Sequence, residues 1–272
     1  MTSEATSHPL RLLGRARLTA DLHVLSGLHI GAGKDTIEIG GIDNPIIKHP
    51  HTMEPYVPGS SLKGKLRFLL EWAFGSVRPD GHPWGFNESD GQTFNSDDAI
   101  QRIFGTPAKR DKWSGGPTRL ICRDCAVRPE WRDKILRRGL PLTEDKTEVV
   151  IDRIAGKAHD RVGPRQTERV PAGAIFEAEF VFRVYDTGDG GARDRACLAW
   201  FIQAFDMLEQ DALGGSGSRG YGRVQFKNLK LIGFDNLERH LDNDFRGHVF
   251  NNKKPLEALL DKVNSATQSV AS

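Results

Sequence analysis

Hydrophobic and polar positions alternate from Arg17 onward. Leu18, Ala20, Leu22 and Val24 fall on one side, with Thr19, Asp21 and His23 on the other. A period of two is that of a half-buried strand. It returns at Phe176, Ala178, Phe180 and Phe182, interleaved with Glu177, Glu179 and Val181, and starts again at Val224 and Phe226. Elsewhere the period is helical. Residues 58–75 put Leu62, Leu66, Leu69, Leu70, Ala73 and Phe74 on one face. A serine is expected to cap the start of that helix, and Gly75 stands where a helix-ending glycine would. Residues 193–213 predict a second helix, with Leu198, Phe201, Ile202, Phe205 and Leu208 facing the core. Residues 118–127 read as another strand, and 97–104 and 256–263 as short helices.

The order strand, helix, strand, strand, helix, strand predicts an α+β fold. Two helices on one face of a four-stranded sheet give a ferredoxin-like (RRM-like) βαββαβ core with large insertions, a plan many RNA-binding modules use. The expected organisation is a disordered N-terminus over 1–15, a core over 16–232 and a helical extension over 233–272. Within the core, 76–118 reads as a surface insertion and 144–173 as a long polar excursion. The excursion carries Lys157, His159, Arg161 and Arg165, is too polar to fill a core, and suits a partner.

Composition narrows the chemistry. With a formal net charge of +2 over 272 residues, bulk charge does not announce a nucleic-acid binder, so any basic surface must be local. No leader-like segment or membrane-length apolar run is evident, and a cytoplasmic location with no membrane partner is the expectation. Three cysteines are no disulfide framework in a chain of this length. Cys122 and Cys125 form a lone Cys-x-x-Cys that supplies half of a zinc site. They are read as core cysteines, with zinc the lesser alternative.

Residues 213–226 are the densest candidate. Five glycines fall within the nine positions 214–222, interleaved with Arg219 and followed by Arg223. Exposed N–H groups in such a loop form anion-binding concavities, and arginine forks suit phosphate. The competing reading is a flexible connection. No Gly-Lys-Ser/Thr follows, and the loop runs from helix to strand, which excludes a Walker loop and a dinucleotide fingerprint. Lys63 and Lys65 beside the first turn of the first long helix read as a second phosphate site, against a solvated basic face. Asp43 lies between Gly40-Gly41 and Asn44-Pro45. There it either builds the turn or offers a carboxylate at a rigid position.

Five motifs in order carry a resemblance: Gly-Leu-His-Ile-Gly (27–31), Gly-Gly-Ile-Asp-Asn-Pro (40–45), Pro-Gly-Ser-Ser-Leu-Lys-Gly-Lys-Leu-Arg (58–67), Arg-Gln-Thr-Glu-Arg-Val-Pro-Ala-Gly (165–173) and Gly-Gly-Ser-Gly-Ser-Arg-Gly-Tyr-Gly (214–222). Together they resemble the RAMP superfamily, and more narrowly the repeated backbone subunit of the type III-A CRISPR effector, the Csm complex. The resemblance implies an endoribonuclease whose copies stack head to tail along crRNA beside other Csm-complex subunits. Each copy would press a thumb-like β-hairpin, here about 144–173, across the guide–target duplex, and target RNA would be cut beside each displaced nucleotide. It implies Asp43 as the catalytic residue, binding Mg²⁺ or Mn²⁺ or acting as a base. It implies RNA contacts at His29, Ser60, Ser61, Lys63, Lys65, Arg67, Arg165, Arg169, Gly215, Ser216, Ser218, Arg219, Gly220 and Tyr221. Two alternatives accompany it: a non-catalytic RNA-binding scaffold, and a crRNA-processing endoribonuclease with His29 as base. Ala32, the 76–118 insertion and Cys122/Cys125 depart from the family pattern.

Overall fold

The computed structural model describes residues 10–33, 42–85, 97–106, 113, 115–161, 163–233, 238–241 and 260–265. In chain order the elements are β1 (Arg11–Val24), β2 (Tyr56–Val57), α1 (Gly59–Ala73), α2 (Ala99–Phe104), β3 (Leu120–Cys122), β4 (Cys125–Ala126), α3 (Pro129–Leu136), β5 (Glu144–Glu148), β6 (Arg165–Arg169), β7 (Ile175–Asp186), α4 (Ala192–Glu209), β8 (Val224–Ile232) and β9 (Glu238–His240). The fold is mixed α and β with antiparallel sheets. Its main sheet runs β3-β7-β1-β8-β9, and β2–β4 and β5–β6 form two small sheets.

The alternating residues build the core as their period requires. Leu18, Leu22, Val24, Phe176, Phe180 and Phe182 are at most 1% exposed, and the α4 face is equally enclosed. Phe180, Phe201, Phe205 and Phe226 form a chain of rings with centroids 5.4, 5.1 and 4.5 Å apart, fixing α4 across β7 and β8. Each such pair adds about 0.5–1.5 kcal/mol beyond area burial. Helix α1 docks on α4 through Phe74 against Trp200. It ends as expected: Gly75 has φ +67°, its N–H donates to the Trp72 carbonyl, and the Ser76 N–H donates to that of Glu71. These two bonds define a Schellman stop.

Several expectations need correction. β1 begins at Arg11, where the polar pairing with β7 continues beyond the apolar stripe. The first nine residues lie outside those described, as do 40–41 and most of the extension after 241. No serine caps α1. The cap position is Pro58, and the carboxylate of Asp124 accepts the Gly59 N–H at 2.8 Å. The strand expected over 118–127 is two short strands broken at Arg123-Asp124, so Cys122 joins the main sheet and Cys125 pairs with Val57. Burial pushes both thiols up to about 12, as the core reading requires. The segment 76–118 is not purely superficial: Ile100, Ile103 and Phe104 of α2 are buried in the core. Below them Asp194 accepts from Arg102 at 2.7 Å and Arg119 at 2.8 Å, all three at most 1% exposed. Helix α3 was not read from the sequence at all. No described helix is long and apolar enough to cross a membrane.

Candidate functional site

Strand β6 is where the separated motifs meet. It pairs with β5 as a hairpin, Glu144 opposite Arg169 and Glu148 opposite Arg165. Its other edge takes up two loops that the sequence leaves far away. Leu28 bridges Val170, and Asn44 bridges Thr167. The Asn44 N–H donates to the Gln166 carbonyl at 3.2 Å, and the Glu168 N–H donates to the Asn44 carbonyl at 3.0 Å. Asp43 is exposed, and its Oδ2 accepts the Gln166 N–H at 2.9 Å. A carboxylate gripped by a strand amide beside a proline-restricted loop has little freedom to swing.

His29 sits on the same strand. Its Nδ1 lies 2.7 Å from the Glu168 carbonyl, so Nδ1 carries the proton and Nε2 is the acceptor when the ring is neutral. The glycine loop rests on this turn. The Gly215 N–H donates to the His29 carbonyl at 2.9 Å, and the Gly222 N–H to that of Gly27 at 3.0 Å. Gly214 has φ +78°, and a Cβ there would run into the His29 carbonyl, so this close approach needs glycine. The loop closes on itself through the Leu213 N–H and the Gly222 carbonyl at 2.8 Å. Ser216 and Gly220 are left-handed around a single 3-10 turn. This is a built loop, not a flexible connection.

The loop also fastens to the hairpin. Glu148 accepts from the Tyr221 hydroxyl at 2.9 Å and from Arg219 at 3.0 Å. The Tyr221 hydrogen bond, helped by Lys146 and Arg219, outweighs the upward push of burial and holds the Glu148 carboxyl below its ordinary range. Tyr221 is only 1% exposed, with Lys146 and Arg169 against its ring at 4.4 and 5.1 Å. It is therefore a pivot under the loop, where the resemblance implied a residue open to RNA. Arg219, with a side chain 67% exposed, keeps most of its surface for an anion. Gly215, Ser218 and Gly220 are exposed beside it, and Ser216 is half-buried.

Other expected contacts divide in the same way. Arg165 is exposed at the hairpin. Arg169 donates to Glu144 at 2.6 Å and lies along Gly27, so it braces the hairpin base. Arg67 is spent inside the fold, on Glu71 at 2.7 Å and the Trp84 carbonyl at 2.6 Å. Those bonds leave its side chain only 18% exposed for the contact that the resemblance implies. Lys65 pairs with Asp211 at 3.0 Å, two residues before the glycine loop, which places the α1 start beside that loop. Lys63 is half-buried, and desolvation lowers its pKa. Ser60 is exposed and Ser61 half-buried. With Asp124 on the first amide, the α1 terminus is a weaker anion site than its lysines suggest.

The hairpin carries an apolar tip. Val149, Val150, Ile151 and Ile154 are 51%, 38%, 43% and 100% exposed. Asp152 shapes the turn, its Oδ1 accepting the Ile154 and Ala155 N–H groups at 2.8 Å each. Those bonds hold its carboxyl below the usual range. The sequence reading missed Glu148, Gln166 and Glu168. Their spacing from their partners exceeds 70 residues in each case, and no local pattern records such a contact.

Comparisons with known proteins converge on one family. Residues 21–225 match the RAMP superfamily. The CRISPR system Cms endoribonuclease Csm3 of Methanocaldococcus jannaschii is 38% identical over 223 residues, covering 82% of this chain and 83% of that protein. A chain of the Type III-B Cmr-beta cryo-EM structure bound to cognate target RNA shares the fold at TM-score 0.51 and 13% identity, over 80% of this chain and 61% of that one. A chain of the Csm3-Csm4 subcomplex in the type III-A CRISPR-Cas interference complex aligns at TM-score 0.48 and 24% identity, over 93% of this chain and 99% of that one.

Proposed function

Because this chain belongs to the RAMP superfamily and, within it, to the Csm3 endoribonucleases, we propose the following division of labour for its residues. The chain is a backbone subunit of a type III-A CRISPR effector and cuts target RNA paired to the guide. We read the β1–α1–β3–β7–α4–β8 frame as ferredoxin-like, because its sheet order β3-β7-β1-β8 alternates direction throughout. The β5–β6 hairpin is the thumb. Copies of the chain follow one another along the guide in the cytoplasm, with other subunits of the complex at the ends.

One observation carries the assignment of the site: the Asp43 carboxylate is fixed by the Gln166 amide near the tip-side end of the β5–β6 ladder, beyond which the hairpin carries an exposed apolar wedge. RNA brings its own nucleophile, the 2′-hydroxyl. In-line attack on the adjacent phosphate requires an unstacked, kinked strand. A wedge of Ile151 and Ile154 supports that reading, since burying an apolar tip between bases unstacks them. Orientation of this kind accounts for a large share of the acceleration. Arg219 and the exposed glycine-loop amides, seated on the His29 turn, hold the guide backbone.

A divalent ion fits this site only as a mostly hydrated one. Among the described residues no three His, Cys, Asp or Glu side chains converge, so Asp43 has no ready-made set of protein ligands around it there. Mg²⁺ or Mn²⁺ accepts one carboxylate plus water and substrate phosphate, whereas zinc wants a closed set of four. Bound there, the ion would neutralise charge on the cleaved phosphate. Asp43's own part is to hold it or, in its absence, to accept the 2′-hydroxyl proton.

The test is cleavage by the purified, guide-loaded full-length chain. Complementary target should be cut at a regular spacing in Mg²⁺ and spared in EDTA. Cutting of isolated repeat RNA without metal would instead make the chain a processing enzyme.

A further inference from the structure

The buried carboxylate of Glu168 touches neither loop tip nor solvent, yet it holds every second residue of the segment that follows Asp43. Its Oε2 accepts the Ile46 N–H at 3.0 Å, and its Oε1 forms an ion pair with Lys48. Its own N–H and carbonyl reach Asn44 and the His29 ring. The residue is 2% exposed. One residue of β6 thus ties residues 44, 46 and 48 of one loop and the ring of another into a single rigid unit. A carboxylate placed in so dry a site without partners would be expelled or protonated. Burial does push its pKa up, but Lys48, the Ile46 amide and Thr143 outweigh it and the net shift is downward. It is therefore a charged clamp.

We infer that Glu168 is the positioning residue for Asp43. By clamping the 44–48 segment against β6, it sets where the Asp43 carboxylate stands relative to the scissile phosphate. It does not itself touch RNA. This rests on the assignment of Asp43 above. Its physical basis is the steep dependence of rate on placement, where about 1 Å of misalignment costs about 100-fold.

The experiment compares guide-loaded complexes of full-length wild type, Glu168→Gln, Glu168→Ala, Lys48→Met, Asp43→Ala and the Asp43→Ala/Glu168→Ala double variant. Single-turnover cleavage, target affinity and melting temperature are measured for each. Glu168→Ala should slow cleavage about 100-fold while target affinity stays within about twofold, below the factor of ten that 1.4 kcal/mol represents. Glu168→Gln, which keeps an acceptor for Ile46, should lie between it and wild type, with Lys48→Met near it. In the Asp43→Ala background Glu168→Ala should leave guide and target affinity as they are in Asp43→Ala, because positioning acts only through Asp43. Wild-type cleavage by Glu168→Ala, with Asp43→Ala inactive, overturns the inference and leaves the Asp43 assignment standing. So does a parallel loss of target binding and cleavage in Glu168→Ala, or a loss of target binding in the double variant. Full cleavage by Asp43→Ala would instead remove the assignment on which the inference rests.

Discussion

Two glycines of α1 should respond to alanine in opposite directions. At Gly59, an added Cβ would meet the Cys122 carbonyl oxygen at 2.5 Å and the Arg123 carbonyl oxygen at 2.8 Å. Both are backbone atoms, so neither can turn aside. Restoring an ordinary contact moves the helix start by roughly 0.5–1 Å, enough to disturb the Asp124–Gly59 bond of 2.8 Å. Overpacking costs about 1–3 kcal/mol, and a hydrogen bond to a charged group about 1.5–3 kcal/mol. The two losses overlap, and Gly59→Ala is expected to destabilise by about 2–4 kcal/mol. Gly64 lies on the exposed side of the same helix, and a Cβ there meets nothing within 4 Å. Alanine at that position should stabilise by about 0.5–1 kcal/mol through helix propensity alone. Urea unfolding of the full-length chain, with the slope checked for constancy, measures both. Equal stability of the two variants, or a Gly59→Ala variant as stable as wild type, would refute the close approach of α1 to the β3–β4 kink.

Asp194→Ala leaves Arg102 and Arg119 charged at positions at most 1% exposed, and should cost about 3–5 kcal/mol in urea; replacing Arg102 and Arg119 with methionine in the same background should recover part of that loss. Ile154 is 100% exposed, so Ile154→Asp should change stability by less than about 0.5 kcal/mol while slowing target cleavage at least about 10-fold, measured on saturated complexes, if the tip unstacks bases. Glu168 has a folded-state pKa below its ordinary value, so the stability it supplies is complete above its unfolded pKa of about 4.3 and is lost as pH falls through the folded pKa. Stability curves of wild type should therefore fall more steeply below about pH 4.3 than those of Glu168→Gln.

Much of the frame was legible because it is periodic. The alternation in β1, β7 and β8 and the apolar faces of α1 and α4 each report a buried surface, and every residue named on the α4 face is fully enclosed. Short elements were less legible. β3 and β4 share one stretch that reads as a single strand, and the break at Arg123-Asp124 shows only in the different partners of Cys122 and Cys125. Helix α3 has no fully buried residue, and its eight residues offer only the half-buried Trp131 and Ile135 as a face to read. At the site, residue types spoke but partners did not. Glycines and arginines marked the 214–222 loop, and Glu71 four residues after Arg67 is a local sign of a pair that the structure contains, but the bond from Arg67 to the Trp84 carbonyl, which sets it apart from the exposed Arg219, has no such sign. Tyr221 is a like case: an aromatic among glycines looks available, and its bond to Glu148 and its contact with Arg169 leave no local trace in the sequence.

The central claim is that Asp43, held by Gln166 on the β5–β6 hairpin, does the cutting. It is tested most directly by loading guide RNA onto full-length wild type and Asp43→Ala and following one labelled target in Mg²⁺. The account predicts equal guide and target binding, a ladder of regularly spaced products from wild type, and none from the variant. A regular ladder from Asp43→Ala would contradict it.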